Sequence, residues 1–433
     1  MVEKKSYDVL VAGAGPAGVA AALAAAENGA RVLLAERSGF VGGMSTDGLL
    51  NVFCGSASSK LFGEISRELV VRKGHRQVYD AEELKAFYLD KLSRSGVDCL
   101  FHTLVTGCRT ESGDARISSD IAGSKLAGSS LAAVTCAGPA GSSWEVAAPV
   151  YIDATGDGAL AALAGVDYTV GREEDGRTEP MSLMVRLGGV EESEAVYPTF
   201  GTHPQLEELA REAVAAGEIL PPAGHVILIP EKRPGMASMN MTNAIGLVGS
   251  DPAARTRGEL ECRGQLPGLL RFLRRCVPGY RNAFVLSTAV YTGVRESRHF
   301  AGEYRLTQED IQDNRIFADW CVSRAKYGFG AHNLDGSGKA DGNRAVDGCY
   351  TIPYRCLLPR GVDNLLLAGR CICGTHTAHS SYRVMPICMA TGQAAGTAAA
   401  LSLERGGGLR AVDAARLQQR LTEQGVVEPD RVR

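Results

Sequence analysis

Along the chain, short runs with no polar position alternate with segments whose apolar residues recur at helical spacing. Val9-Leu10-Val11-Ala12 is apolar throughout, the pattern of a strand buried on both faces. Val19 to Asn28 is rich in alanine and predicts a helix, Gly29-Ala30 a turn, and Arg31 to Ala35 a second buried strand. Leu61 to Lys73 predicts a helix stopped by Gly74. Asp80-Ala81-Glu82-Glu83 is a helix-start signature, and Leu84, Phe87, Tyr88 and Leu92 carry that helix to about Arg94. After Gly96, Val97 to Val105 alternates as a strand. Residues 111–129, rich in Gly, Ser and Asp, read as a surface hairpin or loop. Ala137 to Gly141 reads as a turn before Trp144-Glu145-Val146 returns as a strand.

Val150 to Asp153 is a further buried strand, running into the small residues Ala154-Thr155-Gly156. From about Gly165 to Gly348 the pattern becomes irregular. Ser182 to Leu187 and Val226 to Ile229 predict strands there, and Pro204 to Ala216 and Arg257 to Val277 predict helices. Asn364 to Leu367 is again strand-like, Val384 to Leu403 predicts a long small-residue helix, and the tail after Gly408 predicts a polar one.

Composition narrows the class only a little. A chain of 433 residues can bury a large core and form two domains, and its 52 glycines suit tight turns and close backbone approaches. A net charge of −3 gives no reason to expect nucleic acid or an anionic membrane as partner. Met-Val-Glu-Lys-Lys passes directly into the first strand, so no signal peptide fits, and no apolar run reaches membrane-spanning length. A cytoplasmic location is the expectation. The 12 cysteines are then expected as free thiols, without the C-x-x-C of a dithiol reductase. Neither H-E-x-x-H nor a paired-cysteine motif occurs, so no metal site is expected.

The densest chemistry lies at the first strand's end, in Gly13-Ala14-Gly15-Pro16-Ala17-Gly18. Gly13 permits the tight turn, Gly15 lets a pyrophosphate approach the backbone, and Gly18 lets helix and strand pack closely. The helix N-terminus offers free N–H groups to phosphate. Glu36 ends the next strand at the spacing of an acid that accepts from ribose hydroxyls. The unit predicts dinucleotide binding. The segment Arg37 to Gly48 follows, with Gly42-Gly43-Met44-Ser45-Thr46 in place of a second nicotinamide-type unit. Ala137 to Gly141 lacks the fingerprint's spacing, so no second dinucleotide site is expected.

These segments, with Ile152-Asp153-Ala154-Thr155-Gly156-Asp157-Gly158 and Leu365-Leu366-Leu367-Ala368-Gly369-Arg370, resemble the FAD-dependent oxidoreductases of the glutathione-reductase-like superfamily. Arg295-Glu296-Ser297-Arg298, Ile352-Pro353-Tyr354-Arg355, Thr375 to His379 and Gly392-Gln393-Ala394-Ala395-Gly396 extend the likeness, more narrowly, to the bacterial family called FAD-dependent oxidoreductase. The resemblance runs from residue 6 to about 402. It implies an α/β fold: a Rossmann-like, three-layer ββα FAD-binding domain with an inserted α+β substrate or cap domain. The expected boundaries are 1–165, with a hairpin insertion near 105–149, then 166–348 for the cap, 349–410 for the returning FAD domain and 411–433 for a peripheral helix and tail.

The resemblance implies FAD contacts at Gly13, Gly15, Pro16, Ala17, Gly18, Glu36 and Arg37, and along Gly42, Gly43, Met44, Ser45 and Thr46. It places backbone near Val105 against adenine. Thr155, Gly156, Gly369 and the helix start at Pro386 and Ile387 would surround the ribityl chain and ring, where a helix N-terminus would stabilise negative charge on reduced flavin. Many relatives in the wider superfamily carry an acid after the glycine, to bind the ribityl hydroxyls, where this chain has Arg370; a phosphate contact is the alternative for it. In the loop expected at 375–383, His376 and His379 are candidates for the base that takes a proton as hydride leaves, and Arg383, with Arg295 from an earlier segment, for a carboxylate clamp. Arg295-Glu296-Ser297-Arg298-His299 reads equally as a structural ion-pair set, and Cys54 as a small buried residue rather than a flavin neighbour. The expected activity is oxidation of a small polar substrate at a C–OH or C–N bond, with an external electron acceptor: oxygen, a quinone or a protein carrier. A flavin-dependent C=C reductase and a non-redox isomerase or lyase are the alternatives. A homo-oligomer is compatible with the sequence.

Overall fold

The computed structural model describes residues 3–111, 115–117, 129–199, 201–330, 346–406 and 408–429. Its centre is a five-stranded parallel sheet of β1 (Val9–Ala12), β2 (Val32–Ala35), β3 (Asp98–Leu100), β4 (Val150–Asp153) and β5 (Leu365–Leu367). The order across the sheet is β5-β4-β1-β2-β3. Every residue of β1, β2, β4 and β5 is buried, which is why these strands lack polar alternation. A second five-stranded sheet lies at residues 3–6, 143–147, 131–137, 104–110 and 115–117, and contains the hairpin turn expected at 137–141.

Helix α1 (Pro16–Glu27) follows the glycine turn. The inserted part contributes α2 (Pro252–Cys276), which starts earlier than its apolar pattern because Asp251 caps Ala253 and Ala254 and Pro252 fits the first turn. After β5 come α3 (His376–Tyr382) and α4 (Met385–Arg405), bent 93° apart. Helices α1 and α4 touch through glycine. A Cβ at Gly392 would lie 2.0 Å from the Ala17 carbonyl oxygen, and one at Gly396 2.1 Å from that of Ala21.

The inserted part has its own antiparallel sheet, in the order Leu228–Pro230, Met236–Met239, Val185–Gly188, Phe284–Thr288. Its core joins that sheet to the helix Pro204–Ala215 and to α2 through Leu187, Leu228, Leu269 and Phe272. Trp320–Ala325 pairs with Tyr350–Pro353, and Trp320, Val322 and Ile352 belong to the main core.

Three elements differ from their sequence pattern. Residues 61–73 split into the helix Lys60–Glu68 and a strand Val71–Lys73, which turns at Gly74 and pairs with Arg76–Val78. Residues 97–105 also split: β3 joins the parallel sheet and Leu104–Thr110 the other, with His102 at φ 51° between them. The expected loop at 375–383 is helix α3, capped by the Thr375 hydroxyl. Most of the 111–129 segment, and His332 and Asn333, lie outside the described residues.

Candidate active site

The carboxyl ends of β1, β2, β4 and β5 open onto a cavity that is continuous with solvent. Parallel strands place their loops at one end, which is where α/β sheets form ligand sites. Gly13 sits at φ 90°, where a Cβ would strike the Ala154 carbonyl oxygen at 2.7 Å. Gly18 allows the helix to cross the turn, since a Cβ there would lie 1.8 Å from the Gly13 oxygen. Gly15 differs from both. Nothing lies within 4 Å of a Cβ built on it, so its bare backbone faces open space.

The loop after β2 closes over this turn. Gly42 N–H donates to the Ala14 carbonyl at 2.7 Å, and a Cβ at Gly43 would meet Gly15 Cα at 3.1 Å. Gly43 and Met44 line the cavity, whereas the hydroxyls of Ser45 and Thr46 are turned inward onto the carbonyls of Gly42 and Val41. The Glu36 carboxylate lines the cavity while accepting from the Ala14 and Ser38 amides at 2.6 and 2.8 Å.

On the far side, Thr155, Gly156 and Asp157 follow β4, and Gly369 and Arg370 follow β5, all in the cavity wall. The Thr155 hydroxyl is held by Asp153 at 2.7 Å, and Gly156 takes φ 83° beside the Arg370 guanidinium. Arg370 donates to Asp157 at 2.9 Å, so its charge is balanced by an acid from the loop after β4. Met385 and Cys388 bring the first turn of α4 to the wall, and Pro386 occupies that turn. Burial pushes the Cys388 thiol up to about 12. Val105 lies in the second sheet, paired with Cys136, and Ile387 is buried in the core; neither is among the lining residues, nor is Cys54.

A buried chain of charges stands behind the wall. Arg383 lines the cavity and is gripped by Glu179 through Nε and Nη2 at 3.1 and 2.9 Å. Arg295 donates to the Pro180 carbonyl and to Ser182 Oγ; burial first, then the neighbouring Arg383, pulls its pKa down to about 10. The adjacent Glu296 accepts the Glu179 N–H on one oxygen. Its other oxygen lies 2.6 Å from both His299 Nε2 and His376 Nδ1. Burial raises the Glu296 carboxyl, yet the imidazoles outweigh it and hold the pKa far below the usual range. Burial likewise pulls His376 down, and the Glu296 carboxylate overrides it, so its pKa is raised. His379 is different: only 1% exposed, it packs edge-on against His299 and Tyr382, and burial drives its pKa well below the normal value.

One ligand atom each from Glu296, His299 and His376 falls within 4.8 Å of the others. The 2.6 Å separations are hydrogen bonds, shorter than the roughly 3 Å between neighbouring ligands held about 2 Å from one ion. In this arrangement one Glu296 oxygen is shared by both imidazoles.

Asp157, Arg255, Tyr291, Val294 and Cys388 also line the cavity, and sequence reasoning missed them. Asp157 was recoverable, as it directly follows Thr155-Gly156. Arg255 is one of several arginines on α2, and nothing in the pattern singles it out.

Fold and cavity together define a dinucleotide-binding enzyme of the flavoprotein type. The profile of the family FAD dependent oxidoreductase matches residues 8–421, and the chain belongs to that family. It is a flavin enzyme with FAD as cofactor. Its fold is similar to that of a geranylgeranyl bacteriochlorophyll reductase-like protein from Thermoplasma acidophilum, with TM-score 0.53 and 14% identity over 97% of this chain and 84% of that one. A p-nitrophenol 4-monooxygenase from Pseudomonas putida matches at TM-score 0.47 and 12% identity, over 97% and 84% of the two chains. No curated protein matches the chain. Among the described residues, no single helix is long and apolar enough to cross a membrane.

Proposed function

We propose that the chain oxidises a small polar organic substrate at a C–OH or C–N bond and passes the electrons to oxygen, a quinone or a protein carrier. When bound, FAD supplies the hydride acceptor. In this reading Gly13, Gly15, Pro16, Ala17 and Gly18 receive its pyrophosphate on the first turn of α1, and Glu36 and Arg37 its ribose side. Gly43, Met44, Thr155, Gly156, Gly369 and the first turn of α4 line its remaining length. The open space beside Gly15 and the left-handed turns at Gly13 and Gly369 fit such a ligand.

The observation that carries the catalytic assignment is the hydrogen bond between His376 Nδ1 and the buried Glu296. The carboxylate accepts, so Nδ1 carries the proton and Nε2 is left to take one from the substrate. His376 also retains 13% side-chain exposure, whereas His379 is closed off. Arg383, kept cationic by Glu179, holds positive charge in the cavity wall for an anionic substrate group.

Anaerobic mixing with a panel of hydroxy and amino acids tests this through bleaching of the oxidised-flavin absorbance. Replacing His376 with Asn is expected to slow bleaching about 100-fold or more while photoreduction proceeds normally. Equal bleaching by wild type and H376N would remove His376 as the base. The reverse reading, a C=C reductase with an arginine as proton donor, would be selected by reoxidation of the reduced enzyme by an activated alkene.

A further inference from the structure

Positive charge gathers at one end of the cavity from three parts of the chain. Arg37 follows Glu36 after β2, its guanidinium 5.0 Å from the centre of the Tyr291 ring. Arg370 follows β5. Arg255 comes from the inserted domain, one turn into α2. All three line the cavity together with Gly13, Gly15 and Gly43.

Two of the three share one balancing charge. Arg255 Nη2 donates to one oxygen of Asp157 at 3.1 Å, and Arg370 Nη2 to the other at 2.9 Å. A single carboxylate therefore serves two guanidinium groups, and it also accepts from the Ser297 hydroxyl at 2.9 Å. Arg255 Nε is buried with no partner. Burial lowers the Arg255 pKa; Asp157 opposes the shift, while Arg37 and Arg370 add to it. Like charges held together in a part-buried wall, with one donor unspent, are unfavourable until an anion enters. A pyrophosphate brings two negative charges and several acceptor oxygens to such a place.

We propose that Arg255 is a pyrophosphate-binding residue supplied by the cap, so that the inserted domain forms part of the cofactor site as well as covering the substrate. The inference rests on the placement of FAD in this cavity. It assigns Asp157 a second role: its carboxylate positions Arg255 and Arg370 while offering no charge to spare. Cofactor binding and docking of the inserted domain are then coupled through one side chain.

The test is titration of apoprotein with FAD, followed by flavin fluorescence, with ADP as a competitor and riboflavin as a phosphate-free control. Arg255→Ala is expected to weaken FAD and ADP by the same factor, about 10- to 100-fold, and to leave riboflavin unchanged. Arg255→Lys should recover part of the loss. The thermal midpoint of the apoprotein should stay constant while the increment given by FAD shrinks. If R255A lowers the apoprotein midpoint, the near-isosteric R255Q supplies the same comparison. FAD and ADP affinities unchanged in R255A or R255Q would overturn the proposal, as would an equal loss for riboflavin. Gly15→Val separates the two layers: if it abolishes FAD binding while R255A does not, only the arginine assignment fails. If neither variant affects binding, FAD does not lie in this cavity.

Discussion

At the residue scale, Gly15 and Gly18 show one amino acid meeting opposite demands. Gly18 is surrounded, and a methyl group there would lie 1.8 Å from backbone oxygen. Gly18→Ala is expected to destabilise the apoprotein by about 3 kcal/mol or more. Gly15 has an extended backbone open to any residue and no neighbour within 4 Å of a built Cβ. Gly15→Ala should therefore melt within about 0.5 kcal/mol of wild type yet bind FAD more weakly. Denaturant titration of apoprotein beside FAD titration checks both. Glu296 and His376 make a second residue-scale case, in pH. A base with a raised pKa is protonated below that value, so kcat/KM should rise as pH climbs through it. Glu296→Gln removes the carboxylate and leaves burial, which lowers the pKa, so the rising limb should move to lower pH. A pH–rate profile of E296Q whose limb stays in place would dissociate Glu296 from the base.

At the element scale, the α1–α4 contact is the most demanding. Gly392 and Gly396 let α4 approach the backbone of Ala17 and Ala21, and a Cβ at either would meet a carbonyl oxygen. Because the obstacle is backbone and not a mobile side chain, Gly396→Val should separate the helices. A thermal midpoint lowered by several degrees and weaker FAD retention are expected, since α1 and α4 both present their first turns to the cavity. Elements governed by one local rule were legible: the glycine turn and α1, the apolar strands, and α4 with its proline in the first turn. Those set by partners were not. Residues 61–73 have helical composition to their end, but pairing with Arg76–Val78 takes the last three as a strand. Residues 97–105 form one alternating run that two sheets divide at His102. The histidine segment read as a loop because its only helix signal is the Thr375 cap.

At the scale of the whole molecule, the cavity is assembled from the ends of β1, β2, β4 and β5, from α4, and from Arg255 of α2 with Tyr291 and Val294, segments as far apart in sequence as Gly13 and Cys388. The glycine-lined side of the cavity was largely readable, because a glycine at a turn or close approach is a local requirement that leaves a local mark. Glu36 and the glycines at 13, 15, 43, 156 and 369 were named from spacing or family likeness, and all six line the cavity. The charge network was readable only as an inventory. His376 and Glu296 stand 80 residues apart, and Arg383 and Glu179 stand 204 apart. No periodicity encodes which acid reaches which base, since a charged side chain follows the same local pattern whether solvated or paired. Sequence by itself thus determined the class of protein and the backbone cradle, both of which depend on conformations that few residues allow. Tertiary structure decided which histidine keeps access to solvent, which arginines converge on Asp157, and that α2 supplies one of them. Those outcomes depend on burial and distance, and both arise only when remote segments pack.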